Sequence, residues 1–277
     1  MFMAKYSIKE LKRVANLIRQ DIIMMLARAG SGHPAGSLGM ADIFTILYFQ
    51  ILQHTPHQPN SPLRDRLVLS NGHICPVLYA TLARAGYFPL IELKNLRKIN
   101  SRLQGHPHNL SLPGVETSSG PLGQGISQSL GMALAGKIDK KNYRVFCITS
   151  DAEHNEGQSW EAVMLANKYK LNNLINIVDV NGIQIDGNTC DIMPLGSLKQ
   201  KYQAFGWKVL EMPGHDYAQI IRTLRIAKSS KKQPVVILAK TIPGKGVTFM
   251  ENKYEWHGKA PNVRETALAL EELQQAK

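Results

Sequence analysis

The feature that most limits what this chain can fold into is a series of short apolar stretches, at residues 66–69, 144–149, 174–180, 207–210 and 235–239. Each is brief and rich in β-branched or aromatic residues, the pattern of strands buried on both faces of a parallel sheet. Helical periodicity fills the gaps, at 76–85, 126–135, 158–169 and 216–228. Strand and helix therefore alternate, which predicts an α/β fold: a doubly wound, mainly parallel sheet with helices on both faces. Ligands of such folds bind beyond the carboxyl ends of the strands, where helix N-termini also point.

Upstream, Leu11, Val14, Leu17, Ile18, Ile22, Met25 and Leu26 recur at three- and four-residue intervals, with Ser7 and Glu10 in capping-box spacing. An amphipathic helix over 7–29 is expected. A Gly-rich turn over 30–39 and a second helix over 41–51 follow, and the tail from Pro261 reads as a terminal helix. No repeat or interdomain linker interrupts the pattern, so 1–277 is expected to be a single domain.

Composition removes several classes of function. Hydrophobic residues make up 44% and charged residues 19% of the 277 positions, enough for a sizeable core and unlike a disordered chain. No apolar run approaches the roughly 18 to 20 residues that span a bilayer and no signal-peptide core is present, so a cytoplasmic protein without membrane partners is expected. Cys75, Cys147 and Cys190 lie far apart, which points to reduced thiols. The net charge of +12 is dispersed. Its one short basic run, 228–232, has no interleaved aromatics and reads as a solvated helix end, so nucleic acid is not expected as a partner, whereas anionic small substrates suit the field.

Two strand ends carry the most specific chemistry. The runs 145–151 and 174–181 close on Asp151 and Asn181, 30 positions apart. On neighbouring strands these oxygens converge, and with a backbone carbonyl such as that of Ile183 they form a partial shell of the kind Mg²⁺ completes with phosphate oxygens and water. A helix starting near Glu156 adds N–H donors for the anion. The competing reading is an Asp N-cap and an Asn-Gly turn. Four of the nine histidines, His33, His73, His106 and His257, lie beside glycine in expected loops, where imidazoles can donate to phosphate or relay protons. The segment 114–125, Gly-Val-Glu-Thr-Ser-Ser-Gly-Pro-Leu-Gly-Gln-Gly, has neither the dinucleotide nor the Walker spacing and serves as a flexible cradle.

Taken in order, Ser-Gly-His33-Pro with Gly39-Met-Ala-Asp42, Asp65-Arg-Leu-Val-Leu-Ser-Asn-Gly-His73, Gly-His106-Pro, the cradle ending at Gly125, the Asp151–Asn181 pair and Trp-His257-Gly-Lys-Ala-Pro261 resemble the N-terminal, diphosphate-binding domain of transketolases. The resemblance implies thiamine diphosphate as cofactor and Mg²⁺ or Ca²⁺ held by Asp151, Asn181 and the Ile183 carbonyl. It places His73, the Ala152 backbone and His257 on the diphosphate, and His33, His106 and His257 around the reacting carbons. Gly120 and Leu122 would line the thiazolium and aminopyrimidine, and Glu156 would join carboxylates across a dimer. The implied reaction moves a two-carbon ketol unit from a ketose phosphate to an aldose phosphate.

Two departures from the family pattern stand out. Ser150-Asp151-Ala152 replaces the usual Gly-Asp-Gly, and an added methyl at 152 fits only if φ there is negative. The family's pyrimidine-binding and C-terminal domains have no counterpart here, so the resemblance narrows to the N-terminal subunit of split transketolases. A C-terminal partner subunit in a two-plus-two heterotetramer is the expectation. The alternatives are another thiamine-diphosphate ketol enzyme, such as a 1-deoxyxylulose-5-phosphate synthase-like or specialised sugar transketolase, and a non-catalytic scaffold or regulatory subunit.

Overall fold

The structure is a computed structural model and describes residues 6–275. The N-terminal helix α1 (Ile8–Ala29) begins as expected: the Ser7 hydroxyl accepts from the Glu10 N–H while the Glu10 carboxylate accepts from the Ser7 N–H. Two short helices follow, α2 (Pro34–Gly39) and α3 (Ala41–Ile46), the latter continuing into a π-helical turn, Leu47–Ile51. The 30–39 segment is thus not the turn its glycines suggest. Pro34 presets the first helical φ, the Ser37 hydroxyl donates to the His33 carbonyl, and every residue of α2 is buried, so tertiary packing overrides the weak helix propensity of Gly36 and Gly39.

Strand β1 (Arg66–Leu69) leads through a 3₁₀ turn, Gly72–Ile74, into α4 (Cys75–Arg84). After the cradle comes α5 (Gln124–Ile138), then β2 (Val145–Ser150), α6 (Gly157–Lys168) and β3 (Leu174–Val180). A small hairpin, β4 (Ile183–Gln184) and β5 (Gly187–Asn188), precedes α7 (Thr189–Ile192) and α8 (Leu198–Ala204). The chain ends with β6 (Lys208–Pro213), α9 (Tyr217–Lys228), β7 (Val235–Lys240) and α10 (Val263–Gln275).

The main sheet has five parallel strands in the order β1-β2-β3-β7-β6. Side chains of its central strands alternate between two cores. Phe146, Ile148, Ile175, Ile177 and Ile237 pack beneath α1, α3, α4 and α9. Val145, Cys147, Leu174, Val178 and Val236 pack beneath α5, α6 and α8. This period of two, apolar on both faces, is what doubly wound parallel sheets require. Edge strand β6 departs from it: Lys208, Val209 and Leu210 are half-buried, and Trp207 lies before the strand and packs in the second core, so the expected 207–210 strand is shifted to Lys208–Pro213.

The expected solvated basic run is also partly anchored, because Lys228 Nζ donates to the Asp65 carboxylate (2.7 Å) and the Ile51 carbonyl (2.8 Å). All three cysteines are free thiols. Among the described residues no helix is long and apolar enough to cross a membrane.

A candidate cofactor site at the strand ends

The β2–β3 register sets Ser150 opposite Asp179, and the ladder runs one residue further through the Asp151 N–H, which donates to the Asp179 carbonyl (3.0 Å). Asp151 therefore stands one position short of Asn181 on the adjacent strand, as the spacing predicts for neighbours joined by one crossover helix. Its Oδ2 accepts from the Gly182 N–H and its Oδ1 from the Ala152 N–H, both at 2.8 Å. Asn181 Oδ1 accepts from the Ile183 N–H (3.0 Å), and its Nδ2 donates to the Asp179 carboxylate (2.8 Å). Each of the three acceptor oxygens, Asp151 Oδ1 and Oδ2 and Asn181 Oδ1, keeps a lone pair for a further partner.

Burial pushes the Asp151 carboxyl up to about 6 and that of Asp179 up to about 7, the latter with a further contribution from the neighbouring Asp151 charge. Neither is in an ion pair with Lys or Arg among the described residues. Two adjacent buried carboxylates without a counter-charge form a set of oxygens suited to a hard cation, and a divalent ion there offsets their mutual repulsion.

Four imidazoles are grouped around His33. The His33 ring centroid lies 5.0 Å from His73, 5.6 Å from His257 and 6.5 Å from His106, and His73 and His257 are 5.1 Å apart. Desolvation first, then His257, Arg97 and His106, holds the His33 imidazolium down at about 4; desolvation and the neighbouring rings lower His73, desolvation and then Arg97 lower His106, and burial alone lowers His257. At neutral pH all four are uncharged, each able to donate from one nitrogen and accept at the other. A Cβ built on Gly120 would meet the His106 ring at 3.6 Å, and one on Gly258 the His33 ring at 3.7 Å, so backbone and imidazoles line the same space. His33 Nδ1, both amide atoms of Asn71 and the Ser119 hydroxyl are buried without a partner, polar groups that a bound cofactor or water is placed to satisfy.

The sequence reading missed the residue that ties these parts together. Glu153, fully buried, accepts from the Ser70 hydroxyl, from the Gly123 N–H (2.7 Å) and from the Ser150 N–H (3.2 Å). Ser70 Oγ in turn accepts from the Gly125 N–H (3.0 Å). One carboxylate thus joins the end of β1, the end of β2 and the cradle before α5. Burial pushes it up to about 7, against the three hydrogen bonds that lower it. Glu153 has no spacing signature; only its place two residues after Asp151 marks it.

Of the other expected residues, Ala152 opens a 3₁₀ turn and is absent from the residues of positive φ, so its methyl is accommodated, and its N–H is taken by Asp151. Glu156 stands at the N-cap position of α6 without a side-chain hydrogen bond to the helix and is exposed, with its Cβ side against Gly123. Leu122 is half-buried on the cradle. Ile183 opens β4 with its side chain in the first core. Two further histidines are structural: His154 bridges the Ser150 carbonyl and the Tyr202 hydroxyl, both at 2.7 Å, and His215 bridges Asp42 (2.8 Å) and the Ile242 N–H (2.9 Å).

Residues 10–274 match the family model described as transketolase, thiamine diphosphate binding domain. One of the subunits of the apulose-4-phosphate transketolase of Phocaeicola vulgatus is 38% identical over 255 residues, covering 92% of this chain and 90% of that protein. The 6-deoxy-6-sulfo-D-fructose transketolase subunit SqwG of a Clostridium species is 41% identical over 248 residues, 90% of each. Human transketolase is 40% identical over 91% of this chain, which spans only 40% of that longer protein. The crystal structure of Campylobacter jejuni transketolase superposes with a TM-score of 0.91 at 36% identity, covering 97% of this chain and 43% of that one. Matched over residues 10–274 by that family model and at 38% and 41% identity by two relatives covered to 90%, this chain belongs to the transketolase family, as its thiamine diphosphate-binding domain.

Proposed function

We propose that this chain is the diphosphate- and metal-binding half of a split transketolase. With a partner chain carrying the pyrimidine-binding and C-terminal domains, in a two-plus-two heterotetramer, it transfers a two-carbon ketol unit from a ketose phosphate to an aldose phosphate. The observation that carries this reading is the cluster of four uncharged imidazoles around His33, in a chain whose neighbouring strands also end in Asp151 and Asn181. Its support in length comes from the two relatives that are single subunits, which this chain matches nearly end to end, whereas it spans about two fifths of the single-chain enzymes.

Thiamine diphosphate, when bound, supplies a nucleophilic carbon and an electron sink. Asp151, Asn181 and the Ile183 carbonyl would hold Mg²⁺ or Ca²⁺, with His73, His257 and the Ala152 backbone on the diphosphate. Gly120 and Leu122 line the ring-binding wall. His33, His106 and His257, neutral at working pH, bind the ketose hydroxyls, and His33 with its free Nδ1 accepts a proton from a substrate hydroxyl and returns it. Glu156, exposed at the start of α6, is placed to meet a carboxylate of a neighbouring chain.

The names of these two relatives favour a second reading of the substrate, a specialised ketose such as apulose 4-phosphate or a sulfonated fructose in place of xylulose 5-phosphate. The test is reconstitution with the partner chain, cofactor and Mg²⁺, scored against these donors and pyruvate. Ketol transfer only in the mixture is expected. Full turnover by this chain alone, or no Mg²⁺-dependent cofactor binding with the partner present, would refute the proposal.

A further inference from the structure

Residues 96–123 contain neither a helix nor a strand, yet they carry His106, an exposed imidazole whose ring centroid lies 6.5 Å from that of His33. On one side this loop rests on the cradle, where the Ser119 N–H donates to the Pro107 carbonyl (3.1 Å). On the other side the backbone just before His106 has no such partner: neither the Gln104 nor the Gly105 carbonyl accepts from a backbone N–H among the described residues. Two side chains of α4 serve these carbonyls instead. The Tyr79 hydroxyl donates to the Gln104 carbonyl (2.9 Å). The Cys75 thiol donates to the Gly105 carbonyl (3.2 Å), with that of Gln104 at 3.6 Å. Arg97 adds only a long bond to the Gly105 carbonyl, 3.4 Å.

Cys75 and Tyr79 are four positions apart, so they share one face of α4. Each is only 1% exposed, out of reach of a substrate, and can act on chemistry only through the loop they hold. Burial pushes the Cys75 thiol up to about 12 and raises the Tyr79 phenol as well, so both keep their protons and stay donors at neutral pH. The helix that carries them begins two residues after His73, whose ring centroid is 5.0 Å from His33. One helix start therefore places His73 through the chain itself and the segment before His106 through two hydrogen bonds. A buried carbonyl that loses its donor is left unsatisfied, and a loop without regular structure relieves this by turning away.

Resting on the ketol-transfer reading above, we propose that Tyr79, together with Cys75, is a positioning residue for His106. Its hydroxyl holds the Gln104–Gly105 backbone so that the imidazole meets the substrate hydroxyls, and it touches neither substrate nor cofactor.

The test uses the chain assembled with its partner, as wild type, Tyr79→Phe, His106→Ala and the double variant. Tyr79→Phe keeps the ring and removes only the donor. The expected result is a fall of about 10-fold in kcat/KM for the ketose donor, because a misplaced group loses much of its effect, while thiamine diphosphate affinity by calorimetry is unchanged. In the His106→Ala background the same substitution should cost nothing further, since the ring it acts through is gone. Losses that add in the double variant, or an unchanged kcat/KM in Tyr79→Phe, overturn the proposal. Cys75→Ser, which keeps a donor, should retain more kcat/KM than Cys75→Ala, and equal losses refute the part given to the thiol. A second measurement needs no turnover: carbethoxylation of His106 by diethyl pyrocarbonate, followed by peptide mass spectrometry with His257 as the reference. A several-fold faster reaction at His106 in Tyr79→Phe supports the anchor even if ketol transfer itself fails, and equal rates in both proteins refute it.

Discussion

At the scale of single residues, the site depends on buried groups whose charge and hydrogen bonds are finely matched. Glu153→Gln places an amide donor against either the Ser150 or the Gly123 N–H, where a carboxylate oxygen now accepts. Leaving one such buried N–H unsatisfied costs about 1–3 kcal/mol. We expect a fall of that size in urea denaturation, together with weaker thiamine diphosphate binding by calorimetry on the assembled complex. A loss of stability without a change in cofactor affinity would show that Glu153 does not set the cradle.

His154 offers a separate check through pH. Burial holds it down at about 4 against an ordinary 6.5, so its neutral form is the folded form. The associated stability is present above pH 6.5 and is lost as pH falls towards 4, amounting to about 3 kcal/mol. Other groups titrate in the same range, so the measurement is the difference between wild type and His154→Asn. Their gap in unfolding free energy should shrink as pH falls from 7.5 to 4.5, and a constant gap would contradict the assignment. Ala152 gives a third prediction. Because φ there is unstrained, Ala152→Gly gains nothing in the folded state and widens the unfolded ensemble, for a loss of roughly 0.4–1 kcal/mol in the same assay.

At the scale of elements, what was legible in sequence follows the strength of local signals. The capping box at Ser7 and the periodicity to Leu26 gave α1 almost to the residue, and the apolar runs gave all five main strands to within a few positions. Helix α2 was hidden because its residues are small and its order comes from packing, including the approach of Gly39 to the Ile242 carbonyl, which no local pattern encodes. Asp151 and Asn181 were readable because each closes an apolar run. Glu153 was not, since its role depends on contacts with segments 30 and 83 positions away. The shared partners of Asp42 make an element-scale prediction. Arg19 from α1, His215 before α9 and Tyr217 within it all converge on this one buried carboxylate. Asp42→Asn should therefore cost about 3–5 kcal/mol by leaving Arg19 buried without a counter-charge, seen as a large drop in the urea midpoint. A change under about 1 kcal/mol would mean that Arg19 reaches water instead.

At the scale of the whole molecule, the two central strands end in the uncompensated carboxylates of Asp151 and Asp179. Protons and a divalent cation compete for them, so stabilisation by Mg²⁺ with thiamine diphosphate should be larger at pH 7.5 than at pH 5.5. At a ligand concentration about 100-fold above Kd the gain is about 2.7 kcal/mol, measurable as a rise in Tm. An equal gain at both pH values would place the cation elsewhere. Since β2 and β3 lie at the interior of the sheet, a cation held there would act on the middle of the domain and not on its margins, and its binding would slow amide exchange near 150 and 180 more than in the peripheral helices.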